Sequence, residues 1–369
     1  MIRILLSLLL LLSGFGALAA ESFYVFAPDQ KGQEVMGLSV RAGSDGVAVE
    51  KLEGLELPFG PSSCAIHPNG RHLIFSAGGR GEPRAASIEV LGDGELRLVG
   101  VSPLGGPTGY TSVDRTGRFF LSANYRNGAV NVYRLDEANR VGDQVCSLKT
   151  PRTEAHCLRT TPDNRFAYVP CVKNNNALYQ YSFDEQTGKL TPLEPFDAEP
   201  PVLFGPRHVA YHPTLPMAYF SYEQQLGVGV YTIGDHGQLV ARQHAATLPR
   251  MEPYEKGKRG LSASDIVLSP DGKRLFVAIR DFVGEEDSVF SFRVEEDGRL
   301  SQIARTQVGD IPWKLDLSPH GRHLLVSESG ENRLSIFKVA PDGALTRAAE
   351  VDWGVRVRDL VVATPRTGQ

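Results

Sequence analysis

An all-β fold, a seven-bladed β-propeller of four-stranded antiparallel blades, is what this sequence predicts, on three observations. First, a tight turn recurs seven times between strand-like runs. The copies are Asp45-Gly46, Asp93-Gly94-Glu95-Leu96, Glu137-Ala138-Asn139-Arg140, Thr187-Gly188-Lys189-Leu190, His236-Gly237-Gln238-Leu239, Asp297-Gly298-Arg299-Leu300 and Asp342-Gly343-Ala344-Leu345. Gly or Asn there supplies the positive φ that a hairpin needs. Second, a Pro-Asp-Gly-like turn appears at His67-Pro68-Asn69-Gly70, Asp114-Arg115-Thr116-Gly117, Thr161-Pro162-Asp163-Asn164, His212-Pro213-Thr214, Ser269-Pro270-Asp271-Gly272 and Ser318-Pro319-His320-Gly321. Pro presets φ in such a turn, and Asp or Asn caps it. Third, a period of roughly 40–55 residues made of short strands is that of a propeller blade.

Each unit therefore reads strand a, Pro turn, strand b, loop, strand c, Gly turn, strand d. Leu275-Phe276-Val277-Ala278 and Leu324-Leu325-Val326-Ser327 are typical b strands. Pro turns number one fewer than Gly turns, and the chain ends account for the difference. Phe23-Tyr24-Val25-Phe26 resembles a strand b, and Arg358 to Pro365 resembles a strand a. The N- and C-terminal strands are expected to share the first blade, which hides edges that would otherwise invite aggregation. No convincing long helix is present. The most irregular stretch, Leu248 to Ser262, carries Arg250, Lys256, Lys258 and Arg259. It links a strand d to the next strand a, so it is expected to overhang the face where strand a starts.

Residues 1–19 read as a secretion signal, leaving 20–369 as the propeller domain. Arg3 is the lone positive charge of the leader, Leu5 to Leu12 its apolar stretch, and Ala17-Leu18-Ala19 an A-x-A cleavage site. The apolar run is too short to span a bilayer, which takes roughly 20 residues. A periplasmic or extracellular monomer without a membrane span is the expectation. Loss of Arg3 takes the net charge from −4 to −5. That balance argues against a nucleic-acid partner and leaves room for an anionic small molecule held by a few arginines. Cys64, Cys146, Cys157 and Cys171 form no C-x-x-C. Export permits a Cys157–Cys171 pair across one hairpin, and small buried thiols are the equal alternative.

The Pro turn also serves as a ruler. Six residues before each turn Pro, or its equivalent, stand Ser62, Gly109, His156, Arg207, Ser264, Trp313 and Asp359. Ten residues after stand Gly78, Tyr125, Val172, Glu223, Arg280 and Ser329. The start of one antiparallel strand and the end of the next lie at the same edge. With strand a innermost, both sets ring one mouth of the central channel. His156, Arg207, Glu223 and Arg280 fall there on three successive blades. Such a gathering is costly unless the groups pair or bind something. Arg207 and Glu223 taken alone read equally as a structural ion pair. His67 and His212 precede turn prolines and read as turn residues; His72, His320 and His323 carry no separate signal.

At these residues the chain resembles the lactonase family of seven-bladed propellers, which includes a 6-phosphogluconolactonase and the carboxymuconate-lactonizing enzyme. The resemblance spans the mature chain. It rests on Ser122-Ala123-Asn124-Tyr125, on Ala155-His156 followed by Pro162-Asp163-Asn164-Arg165, and on Val169-Pro170. It rests further on Gly205-Pro206-Arg207-His208 with Glu223 downstream, and on Ser264-Asp265-Ile266 leading to Arg280-Asp281. It implies a catalytic set of His156, Arg207, Glu223 and Arg280. Asn124, Tyr125, Lys173 and Trp313 form a second tier of substrate-binding candidates. Ile311-Pro312-Trp313-Lys314 departs from the Pro-Arg expected in phosphogluconolactonases. An aromatic there weakens the case for a phosphorylated substrate, and so does export, since pentose-phosphate intermediates are cytosolic.

Lactone hydrolysis needs an activated water and a stabilised oxyanion. His156 or Glu223 is the candidate base, with histidine better matched to neutral pH. Arg207 and Arg280 are suited to the oxyanion or to a substrate carboxylate. The chemistry calls for no metal or other cofactor, and no carboxylate cluster resembles a calcium site. Two other readings stand beside hydrolysis. One is a non-catalytic binding propeller for an anionic sugar or a protein partner. The other is a muconate-type cycloisomerase running the lactone-forming reaction.

Overall fold

The computed structural model describes residues 20–78, 81–248 and 260–365. Residues 1–19, read above as a secretion signal, and residues 249–259 of the segment expected to overhang the mouth lie outside the described residues.

Seven four-stranded sheets follow one another around a central axis. In blade five, for example, strand a is Pro206–Tyr211, b is Met217–Tyr222, c is Gly227–Ile233 and d is Leu239–Ala246. All pairings are antiparallel between sequence neighbours, except in blade one. There the C-terminal Val361–Ala363 is the innermost strand and pairs with Glu21–Pro28, matching Tyr24 to Ala363 and Phe26 to Val361. The ring is therefore closed as the turn count predicts. The seven outer turns also hold: residues 46, 94, 188, 237, 298 and 343 are glycines at positive φ, and the third blade substitutes Asn139 at φ 59°. Asn tolerates the left-handed region better than other non-glycine residues.

Strand periodicity explains how the blades pack. Side chains alternate between faces along a strand. In blade five, Met217 and Tyr219 face blade six, whereas Ala218, Phe220 and Tyr222 face blade four. Among the described residues the buried apolar side chains form seven clusters, each lying between two adjacent blades. The core is thus a set of seven radial wedges between the blades.

Glu21 ties the closing blade to the last one. Its buried carboxylate accepts the His320 backbone N–H at 2.8 Å and lies 3.5 Å from the Arg322 Nε. Burial opposes ionisation, but the His323 and His320 contacts win and bring its pKa down to about 2.

All four cysteines are unpaired; Cys64, Cys157 and Cys171 are buried and Cys146 is half-buried. The Cys157–Cys171 pair does not form. Cys157 faces blade five, whereas Cys171 faces blade three, so the two thiols sit in different interblade wedges.

Candidate functional site

The face where the a strands begin holds a cavity of about 740 Å³. His156, Arg207, Glu223 and Arg280 all line it, as do Tyr125, Lys173 and Trp313. Of the ruler positions, Ser62, Gly109, Asp359 and Gly78 line it too.

Four expected positions fall elsewhere. Asn124 is engaged by backbone: its amide donates to the Pro107 carbonyl at 2.6 Å, and its side-chain oxygen accepts the Arg126 and Asn127 N–H groups of its own turn. Ser264 is buried and donates to the Pro312 carbonyl at 2.6 Å, stapling blade six to blade seven. A register shift between Ala263 and Ile266 brings Ser262 to the cavity instead. Val172 is fully buried and yields its place to Lys173. Ser329 is buried, and its carbonyl accepts from the Arg356 Nε at 3.1 Å.

The two arginines are held from below by one carboxylate. Glu223 Oε2 lies 3.3 Å from the Arg207 Nε, and Oε1 lies 3.8 Å from an Arg280 terminal nitrogen. Arg280 also donates to the Ser262 hydroxyl at 2.8 Å and to the Ala263 carbonyl at 3.2 Å. Its guanidinium lies over the rings of Trp313, at 4.5 Å, and Phe282, at 5.3 Å. Such cation–π contacts add orientation as well as energy when desolvated. Arg358 lies over the same indole at 4.4 Å. Trp313, standing where the Pro-Arg pattern would put a cation, thus gathers two guanidinium groups. Tyr125 packs edge-on to His156, with ring centroids 5.6 Å apart, and donates to Glu154 at 3.2 Å. Lys173 spans Glu154, at 3.7 Å, and the Tyr125 ring, at 5.2 Å.

The ruler missed His208, Asp265 and Lys314. His156 Nδ1 lies 3.1 Å from His208 Nε2, and His208 Nδ1 lies 2.7 Å from Asp265 Oδ1. Asp265 Oδ2 meets the Lys314 ammonium at 3.1 Å, and Lys314 reaches Asp359 at 3.8 Å. Each missed residue stands one position after a ruler residue: Arg207, Ser264 and Trp313. Reading the same ruler at five residues back would have found all three. Burial, then Arg207 and His208, push the His156 imidazole well below its usual value. Burial and Arg207 bring His208 down to about 3. Burial works to raise Asp265, yet Lys314 and His208 hold its carboxyl well below the carboxylate range.

His208, Lys314 and Tyr110 also border a second cavity of about 690 Å³ on the other side of the channel. They form the partition between the two mouths. Among the described residues no group of three or more His, Cys, Asp or Glu side chains is arranged to hold a metal, and no helix is long and apolar enough to cross a membrane.

The profile of the family described as "Lactonase, 7-bladed beta-propeller" matches residues 25–358. A 6-phosphogluconolactonase of Yersinia enterocolitica is 30% identical over 349 residues, covering 93% of this chain and 98% of that protein. A 6-phosphogluconolactonase of Yersinia pestis is 29% identical over 325 residues, covering 86% of this chain and 90% of that one. In fold, the Pseudomonas aeruginosa periplasmic gluconolactonase superposes with a TM-score of 0.80 at 22% identity, over 94% of this chain and 100% of that one. The blade count, the closure through both termini and the profile match together mean that this chain belongs to the seven-bladed β-propeller lactonase family.

Proposed function

We propose that this protein is an exported hydrolase of a sugar-derived lactone, acting from the cavity at the a-strand mouth. The single observation that carries the reading is the convergence of His156, Arg207, Glu223 and Arg280 on that cavity in a member of the lactonase family. The leader-like residues 1–19 support export.

His156 is the general base. Its Nδ1 is engaged by His208, which leaves Nε2 as the basic atom. Nε2 takes a proton from water as the water oxygen bonds to the lactone carbonyl carbon. The tetrahedral oxyanion is met by Arg207 and Arg280. When the ring C–O bond breaks, the proton on Nε2 passes to the ring oxygen, giving the hydroxy acid. Glu223 holds both guanidinium groups in place and has no position in the proton path. The cavity lining carries Lys31, Lys173, Arg207, Arg280, Lys314 and Arg358 against Glu223 and Asp359. That balance favours the developing anion and supports a lactone bearing a phosphate or carboxylate as well as a neutral one.

The test is a panel of phosphorylated and unphosphorylated sugar lactones incubated with purified protein, with a cis,cis-muconate-type substrate beside them. Hydrolysis of at least one lactone is expected. No turnover on the whole panel rejects the hydrolase reading in favour of a binding propeller, and turnover of the muconate alone rejects it in favour of the cycloisomerase.

Glu223→Gln keeps the shape and removes the charge that orders two arginines. A loss of roughly 10-fold in kcat is expected, because the arginines loosen while the base remains. A loss as deep as that of His156→Ala would move the base to Glu223.

The pH profile is a separate check. The groups facing His156 are Arg207, His208, Arg280 and Tyr125, and burial with the cations depresses its pKa. A depressed base stays deprotonated as pH falls, so activity persists to lower pH. The acid limb of kcat/KM is expected below about 6.5, the ordinary imidazole value. A limb at or above that value would contradict the assignment.

A further inference from the structure

We propose that His208 and Asp265 are positioning residues for His156, a buried carboxylate–imidazole–imidazole series whose counter-cation is Lys314. This rests on the reading of His156 as the base.

Hydrogen-bond chemistry orders the series. An ionised Asp265 only accepts, so the 2.7 Å contact makes His208 Nδ1 the donor. A neutral His208 then has only Nε2 left to accept, and its 3.1 Å partner, His156 Nδ1, must donate. This leaves the His156 lone pair on Nε2. Arg207 also approaches His208 Nδ1, at 3.3 Å. A guanidinium N–H and an imidazole N–H cannot bond one another, so the shorter carboxylate contact decides. The arginine acts instead as a nearby charge that keeps His208 neutral.

The energetics call for such a support. His156 must become an imidazolium during turnover beside Arg207 and Arg280, and two cations oppose that charge. A donated Nδ1–H into the His208–Asp265 pair offsets part of this cost without moving the proton off His156. The carboxylate itself is buried, 3% exposed, and would be costly alone. It is met by the Lys314 ammonium at 3.1 Å and by the Leu315 and Ile266 backbone N–H groups at 3.1 and 2.9 Å.

The fold explains why these residues meet. In blades five, six and seven the a–b pairing shifts register between Pro206 and Val209, between Ala263 and Ile266, and between Pro312 and Lys314. An extra residue in a strand re-aims the side chains around it. Arg207 and Trp313 reach the cavity together with His208 and Lys314, where strict alternation would send one of each pair to the opposite face. Three bulges at equivalent heights together assemble one line of polar groups.

The experiment uses a lactone that the wild type hydrolyses and compares His208→Met with His208→Gln. The Gln side chain can place its carbonyl oxygen near the lost Nε2 and accept from His156 Nδ1; the Met thioether is only a weak acceptor. Expected are a 10- to 100-fold fall in kcat for His208→Met with KM within about threefold of wild type, and recovery of at least 5-fold of that loss in His208→Gln. Equal kcat in the two variants, or a change carried by KM, overturns the proposal. If His156→Ala is inactive while His208→Met turns over like wild type, the base stands and the series falls. If His156→Ala is active, both fall. Should His208→Met not fold, two-bond ¹H–¹⁵N correlation spectra of the ¹⁵N-histidine-labelled wild type decide. Nδ1–H tautomers are expected at both His156 and His208, and an Nε2–H tautomer at His156 overturns the assignment.

Discussion

Replacing His156 by alanine is expected to lower kcat on any lactone the protein hydrolyses by 100- to 10,000-fold, the range that general-base catalysis supplies. The effect should sit in kcat, because the imidazole acts on water and its loss leaves the cavity cations in place. His156 is well suited to this substitution. Its main-chain N–H donates to the Pro170 carbonyl at 2.9 Å whatever side chain it carries. The ring itself packs edge-on to Tyr125 and His208 at the cavity and not in an interblade wedge. The fold should therefore survive, which unchanged circular dichroism and melting temperature would show. A variant within fivefold of wild type removes His156 from the chemistry and leaves Glu223 as the carboxylate to examine.

Deleting residues 360–369 should cost more than any single core substitution, because it opens the ring. Leu360, Val361 and Ala363 are buried between blades seven, one and two. Burial of a large apolar side chain is worth roughly 1.5–3 kcal/mol, so two of them with the alanine approach about 5 kcal/mol. The deletion also removes the strand paired with Tyr24 to Phe26 and the Val362 N–H donated to Asp316 at 3.2 Å. The freed edge of Glu21–Pro28 then lines an open channel. A domain has a net stability of only about 5–15 kcal/mol. Expected are a melting temperature lower by 10 °C or more, or insoluble protein. A truncated chain melting within about 2 °C of the full one would mean that the short closing strand contributes little.

Much of this was legible in the chain because propeller blades are local. Each four-stranded sheet forms from neighbours in sequence, and the turn between two such strands must carry Gly, Asn or Pro for steric reasons. The turns at Gly188, Gly298 and Asn139 announced their blades without reference to anything distant. The one nonlocal sheet, closed by Val361–Ala363, was legible from a shortage of one Pro turn. The ruler then carried His156, Arg207, Glu223 and Arg280 to one mouth, since antiparallel pairing turns sequence offset into height.

What escaped was what alternation does not govern. A ruler assumes that every strand keeps period two, and bulges in blades five, six and seven break it. His208, Asp265 and Lys314 sit just past the ruled positions, and a one-residue slip changes the face a side chain reaches. Asn124 shows the converse: it stands beside Tyr125 in sequence, but its own turn and the Pro107 carbonyl take up its hydrogen bonds. Sequence by itself determined the seven blades, their closure and that His156, Arg207, Glu223 and Arg280 stand at the a-strand mouth, because short-range turn sterics and strand period set those. Only the tertiary structure decided which side chains touch. Contacts such as His156–His208–Asp265, or Trp313 between Arg280 and Arg358, join residues dozens of positions apart, and their distances depend on bulges and interblade packing that no local pattern encodes.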